Sequence, residues 1–195
     1  MIILDNGHGE DTPGKRSPKG LCTEPNMVAL YEFEFNRDIV DRIFALCTLE
    51  GIPVARLVPE SEDIGLRTRC NRANLIASQH PGSFLISIHA NAFNGKADGF
   101  EAFTYLGQSQ SDVLADLICK QAREDLPFRM RFDTSDGDLD KESRFYILKH
   151  TVCPAVLTES GFMDSEKDLS YLITDEGRQE IAVCHYEAIK KYIAI

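Results

Sequence analysis

Apolar and polar positions along this chain alternate between two periods, and each period marks a type of element. Residues 2–5 open the chain with an apolar run that reads as a short buried strand. From about residue 32 to residue 50, Phe35, Ile39, Ile43 and Leu46 recur at three- and four-residue steps. That spacing is one face of a helix, and Gly51 is a natural stop. Residues 52–58 and 83–88 read as further strands, and residues 99–106 as a fourth. Residues 61–63 are expected to cap a second helix running to about Gln79, which Pro81-Gly82 ends. A third helix is expected over residues 111–126, and a last one from a Thr174 cap to about Tyr192. Residues 145–148 and 155–158 are short strand candidates. Residues 6–28 and 127–144 are rich in turn formers and charge, and read as long loops.

Strands interleaved with helices predict an α/β fold. The expected architecture is a three-layer sandwich, with a mainly parallel or mixed sheet flanked by helices. The chain has 195 residues and shows no repeat or linker, so a single domain over 1–195 is expected. In such sheets ligands bind beyond the carboxyl ends of strands.

Charge and composition narrow the function. Lys and Arg number 21 against 31 Asp and Glu, a net charge of −10, which opposes nucleic-acid binding and attachment to anionic lipid. No apolar run approaches the roughly 20 residues that span a bilayer. Six cysteines show no C-x-x-C pair, so neither a zinc ribbon nor a redox pair is suggested, and buried thiols are expected.

Three polar residues stand where strands are expected to end. His8 lies in Asp5-Asn6-Gly7-His8-Gly9, His89 in Ser87-Ile88-His89-Ala90-Asn91, and Glu159 follows the run at 155–158. Glu32 opens the first helix and can reach the same edge. Two His and one carboxylate form a usual open zinc set, and a second carboxylate can move the proton of an attacking water. Each residue alone has a plainer reading: a hydrogen-bonded histidine, a helix-start charge, a turn cap. Glu34 rivals Glu32, and Asp5 and Asn91 are candidates to orient the ligands.

Taken together, the motifs resemble those of zinc-dependent N-acetylmuramoyl-L-alanine amidases of the type 3 family. The resemblance runs through Asp5-Asn6-Gly7-His8-Gly9, Glu32 with Asn36 four residues on, Leu66-x-x-Arg69-x-x-x-Ala73-Asn74, Ser87-Ile88-His89-Ala90-Asn91-Ala92, and residues 154–162 around Glu159. It implies that His8, Glu32 and His89 bind Zn2+, with Glu159 as general base and acid. It also implies that peptidoglycan is the substrate, cut between N-acetylmuramic acid and L-alanine. Asp164 and Glu10 depart from the family's usual Asn and Gly. Two alternatives stay open: a zinc peptidase or amidohydrolase on another amide, and a wall-binding domain without catalysis. With no visible signal peptide, the chain is expected to be made in the cytoplasm as a monomer and to act on the cell wall. The segments 9–28 and 127–144 are expected to flank the cleft.

Overall fold

The computed structural model describes residues 1–21 and 29–195. Strands β1 (Ile2–Asn6), β2 (Val54–Arg56), β3 (Phe84–Asn91), β4 (Phe100–Thr104), β5 (Lys141–Glu142) and β6 (Ala155–Phe162) form one sheet in the order β2-β1-β3-β6-β4-β5. The sheet is mixed: β6 and β4 run antiparallel, and every other neighbouring pair is parallel.

The period-2 pattern sorts side chains onto two faces. Ile2, Leu4, Phe84, Ile86, Ile88 and Val156 enter one buried cluster with residues of α1 (Glu32–Leu49), α3 (Gln110–Asp125), α5 (Glu166–Leu172) and α6 (Asp175–Ile193). Ile3, Leu85, Ala155 and Leu157 enter a second cluster on the opposite face, with α2 (Leu66–Gln79) and α4 (Tyr146–His150). Helices cover both faces, which makes the expected three layers. Because α1 and α2 leave on opposite faces, the chain parts at the carboxyl ends of β1 and β3. That is the switch point where α/β sheets open a ligand crevice.

Several element boundaries differ from the sequence expectation. Residues 61–63 cap nothing: α2 begins at Leu66 after Gly65, with no side-chain cap. Asp63 instead accepts hydrogen bonds from Thr12 and Arg69. Residues 145–148 are not a strand; α4 is a short helix that turns Ile147 and Leu148 into the second cluster. The strand expected over 52–58 keeps only three residues in β2. The 127–144 segment is mostly loop, but contributes β5 beside β4. Helix α5 had no counterpart in the sequence reading. The long loop expected over 6–28 falls partly outside the described residues, as does Cys22. The other cysteines are free thiols, four buried and Cys153 partly so.

Candidate metal and hydrolytic site

The site begins with where β1 ends. Asn6 closes the strand and Gly7 follows, its N–H still donating to the Ile88 carbonyl. A Cβ at Gly7 would lie 2.0 Å from the His89 ring, so only glycine lets the two strands' ends approach this closely. His8 then adopts φ 66°, the only non-glycine in the left-handed region among the described residues. L-residues seldom adopt this conformation, and where they do the surroundings must enforce it.

Two side chains do so. Asn36, one turn into α1, donates to the Gly7 carbonyl at 2.9 Å. Arg69 of α2, only 2 % exposed, spends its whole guanidinium on this corner. Its Nη1 donates to Asp5 Oδ1 and the Asn6 carbonyl, its Nη2 to the His8 carbonyl and Asp63, and its Nε to the Ile64 carbonyl. All five N–H donors are used. In the sequence Asn36 and Arg69 stand only as letters of motifs, without a task. Their buried polar character in otherwise apolar helix faces was the available signal.

Glu32 is the first residue of α1, where the helix dipole favours a carboxylate, and is 2 % exposed. Its Oε1 lies 2.9 Å from His89 Nδ1 and 3.4 Å from His8 Nε2. Its Oε2 is buried without a hydrogen-bond partner, 3.7 Å from the Lys15 ammonium. Burial opposes ionisation of Glu32, but the hydrogen bonds and charge of the two histidines prevail and hold its carboxyl far below the usual range. For His89 burial favours the neutral ring; the Glu32 contact and the charges of Glu159 and Asp5 outweigh it and raise the pKa.

One donor atom from each of His8, Glu32 and His89 falls within 4.8 Å of the others. A tetrahedral metal with bonds near 2 Å holds its donors about 3.3 Å apart, so the set is close to that spacing already. Two ring nitrogens and an orphaned carboxylate are also the donor chemistry zinc takes. The residues fit the ion. Glu34, the rival, is exposed on another side of α1.

The two later residues were expected just past strand ends and instead lie within strands. His89 is inside β3 and Glu159 inside β6, and they are partners across the parallel ladder. Glu159 Oε2 is buried and unpartnered. Burial pushes the Glu159 carboxyl up to about 8; the His89 charge lowers it and the Glu32 charge raises it. Among the described residues Asp5 and Asn91 make no hydrogen bond to an imidazole, though the charge of Asp5 acts on His89. Asp5 binds Arg69 and Ser87, and Asn91 donates to Glu101, itself held by Arg131 and Lys141. The departure at Asp164 has a local use, since its Oδ2 accepts from the Phe93 and Gly95 amides and holds the loop after β3.

These groups open onto a cavity of about 460 Å³. Leu66, Phe145, Tyr146, Ile147 and Leu157 give it apolar lining; Thr12 and Lys15 come from the segment after His8. The 127–144 segment lines none of it among the described residues; its place is beside β4, where Lys141 and Arg131 reach Glu101. The remaining histidines stand elsewhere. His185 is buried in α6 between Thr158 and the Ile181 carbonyl, His80 ends α2, and His150 ends α4.

Comparison with known proteins gives consistent results. A family described as N-acetylmuramoyl-L-alanine amidase matches residues 2–191. An uncharacterized cell wall amidase of Bacillus anthracis is 36% identical over 199 residues, covering 98% of this chain and 35% of that protein. A sporulation-specific N-acetylmuramoyl-L-alanine amidase of Bacillus subtilis is 28% identical, covering 97% of this chain and 67% of that protein. The chain thus spans about a third of the first relative and two thirds of the second. An N-acetylmuramoyl-L-alanine amidase structure from Clostridium difficile 630 superposes with a TM-score of 0.83 at 21% identity, covering 99% of this chain and 96% of that one. At that identity the likeness is one of fold.

Proposed function

The chain belongs to the N-acetylmuramoyl-L-alanine amidase family, and on that premise we propose that it hydrolyses the amide between N-acetylmuramic acid and L-alanine in peptidoglycan. His8, Glu32 and His89 hold a zinc ion, and Glu159 moves the proton. The observation that carries this is the meeting of two imidazole nitrogens and a half-satisfied buried carboxylate beside a second buried carboxylate with an unpartnered oxygen.

Zinc bound there supplies Lewis acidity toward a carbonyl oxygen and brings the pKa of water down toward about 7. The chain's own residues do the rest. Glu32, whose Oε1 faces both rings, would hold the ion together with the two histidines, while Asn36 and Arg69 fix the backbone that carries His8. Glu159 accepts a proton from the attacking water and returns it to the departing alanine nitrogen, which completes the cleavage without a covalent intermediate. A carboxyl near neutrality suits that shuttle, and a nearby cation would lower its pKa further into the working range. Among the described residues no helix is long and apolar enough to cross a membrane.

The test is incubation of zinc-loaded protein with purified cell wall. New alanine amino termini without new reducing sugars are the expected product. Cleavage of soluble peptides alone would instead assign the same site to a peptidase, and sedimentation with walls without any cleavage would assign a binding domain. His89→Ala is expected to lose the zinc, from about one ion per chain to near none. Glu159→Gln is expected to keep the zinc and lose about 100-fold or more in kcat.

A further inference from the structure

We propose that Lys15 is a specificity-determining residue of this cleft, and that it recognises a free carboxylate of the stem peptide one residue beyond the scissile amide. The inference rests on the amidase reading above for the identity of the substrate.

Among the described residues that line the cavity, Lys15 and Arg69 are the cationic side chains. Arg69 is consumed: its five donors are bound and its charge is set against Asp5 and Asp63. Lys15 is in the opposite state. Its ammonium makes a 3.7 Å ion pair with Glu32 Oε2, too long for a hydrogen bond, and its side chain is 44% exposed. An ammonium carries three donors, so this one retains hydrogen-bonding capacity toward the cavity.

The backbone position of Lys15 is fixed by its neighbours. Glu32 N–H donates to the Lys15 carbonyl at 3.0 Å, Arg16 and Tyr31 form a bridge, and Ser17 N–H donates to the Leu30 carbonyl. The residue is thereby tied to the first turn of α1, the same turn that presents Glu32. Its field also reaches Glu159, whose pKa it lowers against the larger effect of burial. The ammonium stands 3.7 Å from Glu32 and lines the same cavity as Glu159. Consecutive Cα atoms are about 3.8 Å apart, so a carboxylate on the residue after alanine comes within reach of the ammonium. Peptidoglycan stems carry an acidic residue there, with its α-carboxyl either free or amidated. The chain as a whole carries a charge of −10. An anionic substrate entering such a protein needs a local cation, and a lysine acts on it as a point charge.

Two muramoyl peptides test this, identical except that the second stem residue carries its α-carboxyl free or as the amide. With the zinc-loaded protein, kcat/KM is expected to favour the free acid by about tenfold, mainly through KM. In Lys15→Met that preference should collapse to about one with zinc content intact; Lys15→Arg should keep most of it. Equal losses on both peptides, or a preference that survives Lys15→Met, would overturn the assignment. The same pair of peptides is titrated calorimetrically into zinc-loaded Glu159→Gln, with and without Lys15→Met. If cleavage fails but the acid is still bound about tenfold more tightly in a Lys15-dependent way, the amidase reading falls and the carboxylate site stands. If neither peptide binds, or the two bind equally, the carboxylate site falls.

Discussion

At Gly7 a single hydrogen atom in place of a methyl group decides whether the site can form. The amide of Gly7 is hydrogen-bonded to β3, and the His89 ring sits directly over its α-carbon. A methyl group there would overlap the ring, and the ring, not the backbone, would yield. Gly7→Ala is therefore expected to leave the fold within about 1 kcal/mol of the parent while swinging the imidazole off its place. Zinc affinity should fall by about 10- to 100-fold, the loss typical when a ligand's orientation is disturbed. Competition with a chelator at fixed free zinc reads the affinity, and urea unfolding of the metal-free protein reads the fold. Unchanged affinity would mean that the ring's place is not set by this contact. The sequence shows this glycine in Gly7-His8-Gly9, but not what it must admit. Which side chain comes close follows from the β1–β3 register, pairing Asn6 with Ile88, and register is not written in either strand alone.

At the scale of elements, the apolar pattern located the strands and missed where they end. β3 and β6 continue through His89 and Glu159 because ladder pairing needs backbone, not apolar side chains. Polar residues at functional strand ends break the pattern before the strand stops. Residues 145–148 erred the other way, since four apolar positions fit a strand as well as a helical turn. The helix α2 shows what the pattern hides altogether. Arg69 lies on its buried face among Cys70 and Ala73 and ties α2 to the ends of β1. Removing it strands Asp5 in the interior with Ser87 as its remaining side-chain partner. Arg69→Met should destabilise the metal-free protein by about 3–5 kcal/mol, because it leaves an uncompensated buried charge. Arg69→Lys should cost less in stability. It should still weaken zinc binding, since a lysine cannot hold the Asp5 carboxylate and the His8 carbonyl with one planar fork. Urea titration and zinc competition on the two variants separate the effects. A loss under about 1 kcal/mol in Arg69→Met would show that the corner holds without the guanidinium.

For the whole molecule, two buried groups outside the proposed ligand set give opposing pH dependences. His185 is fully buried and neutral, donating from Nδ1 to the Ile181 carbonyl and accepting from Thr158; burial drives its pKa down to about 4. Below about 6.5 the unfolded chain protonates this histidine and the folded one does not, so stability falls as pH drops from about 6.5 to 4. Asp140 runs the other way. Its side chain is 2 % exposed, and one oxygen accepts from Thr104 while the other has no partner. Burial raises its pKa to about 7, the Thr104 bond lowers it, and the charges of Asp138 and Asp112 raise it again. Between about 3.8 and 7 the folded state keeps a proton that the unfolded chain has released, so stability falls as pH rises through that window. The two slopes offset one another between about pH 4 and 6.5. Asp140→Asn removes one of them while keeping an oxygen for the Thr104 hydroxyl. The variant should match the parent near pH 4 and exceed it near pH 8 by on the order of 3 kcal/mol. It should also gain stability more steeply than the parent as pH rises from about 4 to 6.5, where the His185 penalty is no longer masked. Urea unfolding of both metal-free proteins across this range measures the difference, in which every group common to the two cancels. A difference that stays constant with pH would mean that Asp140 ionises as readily inside the protein as in the unfolded chain.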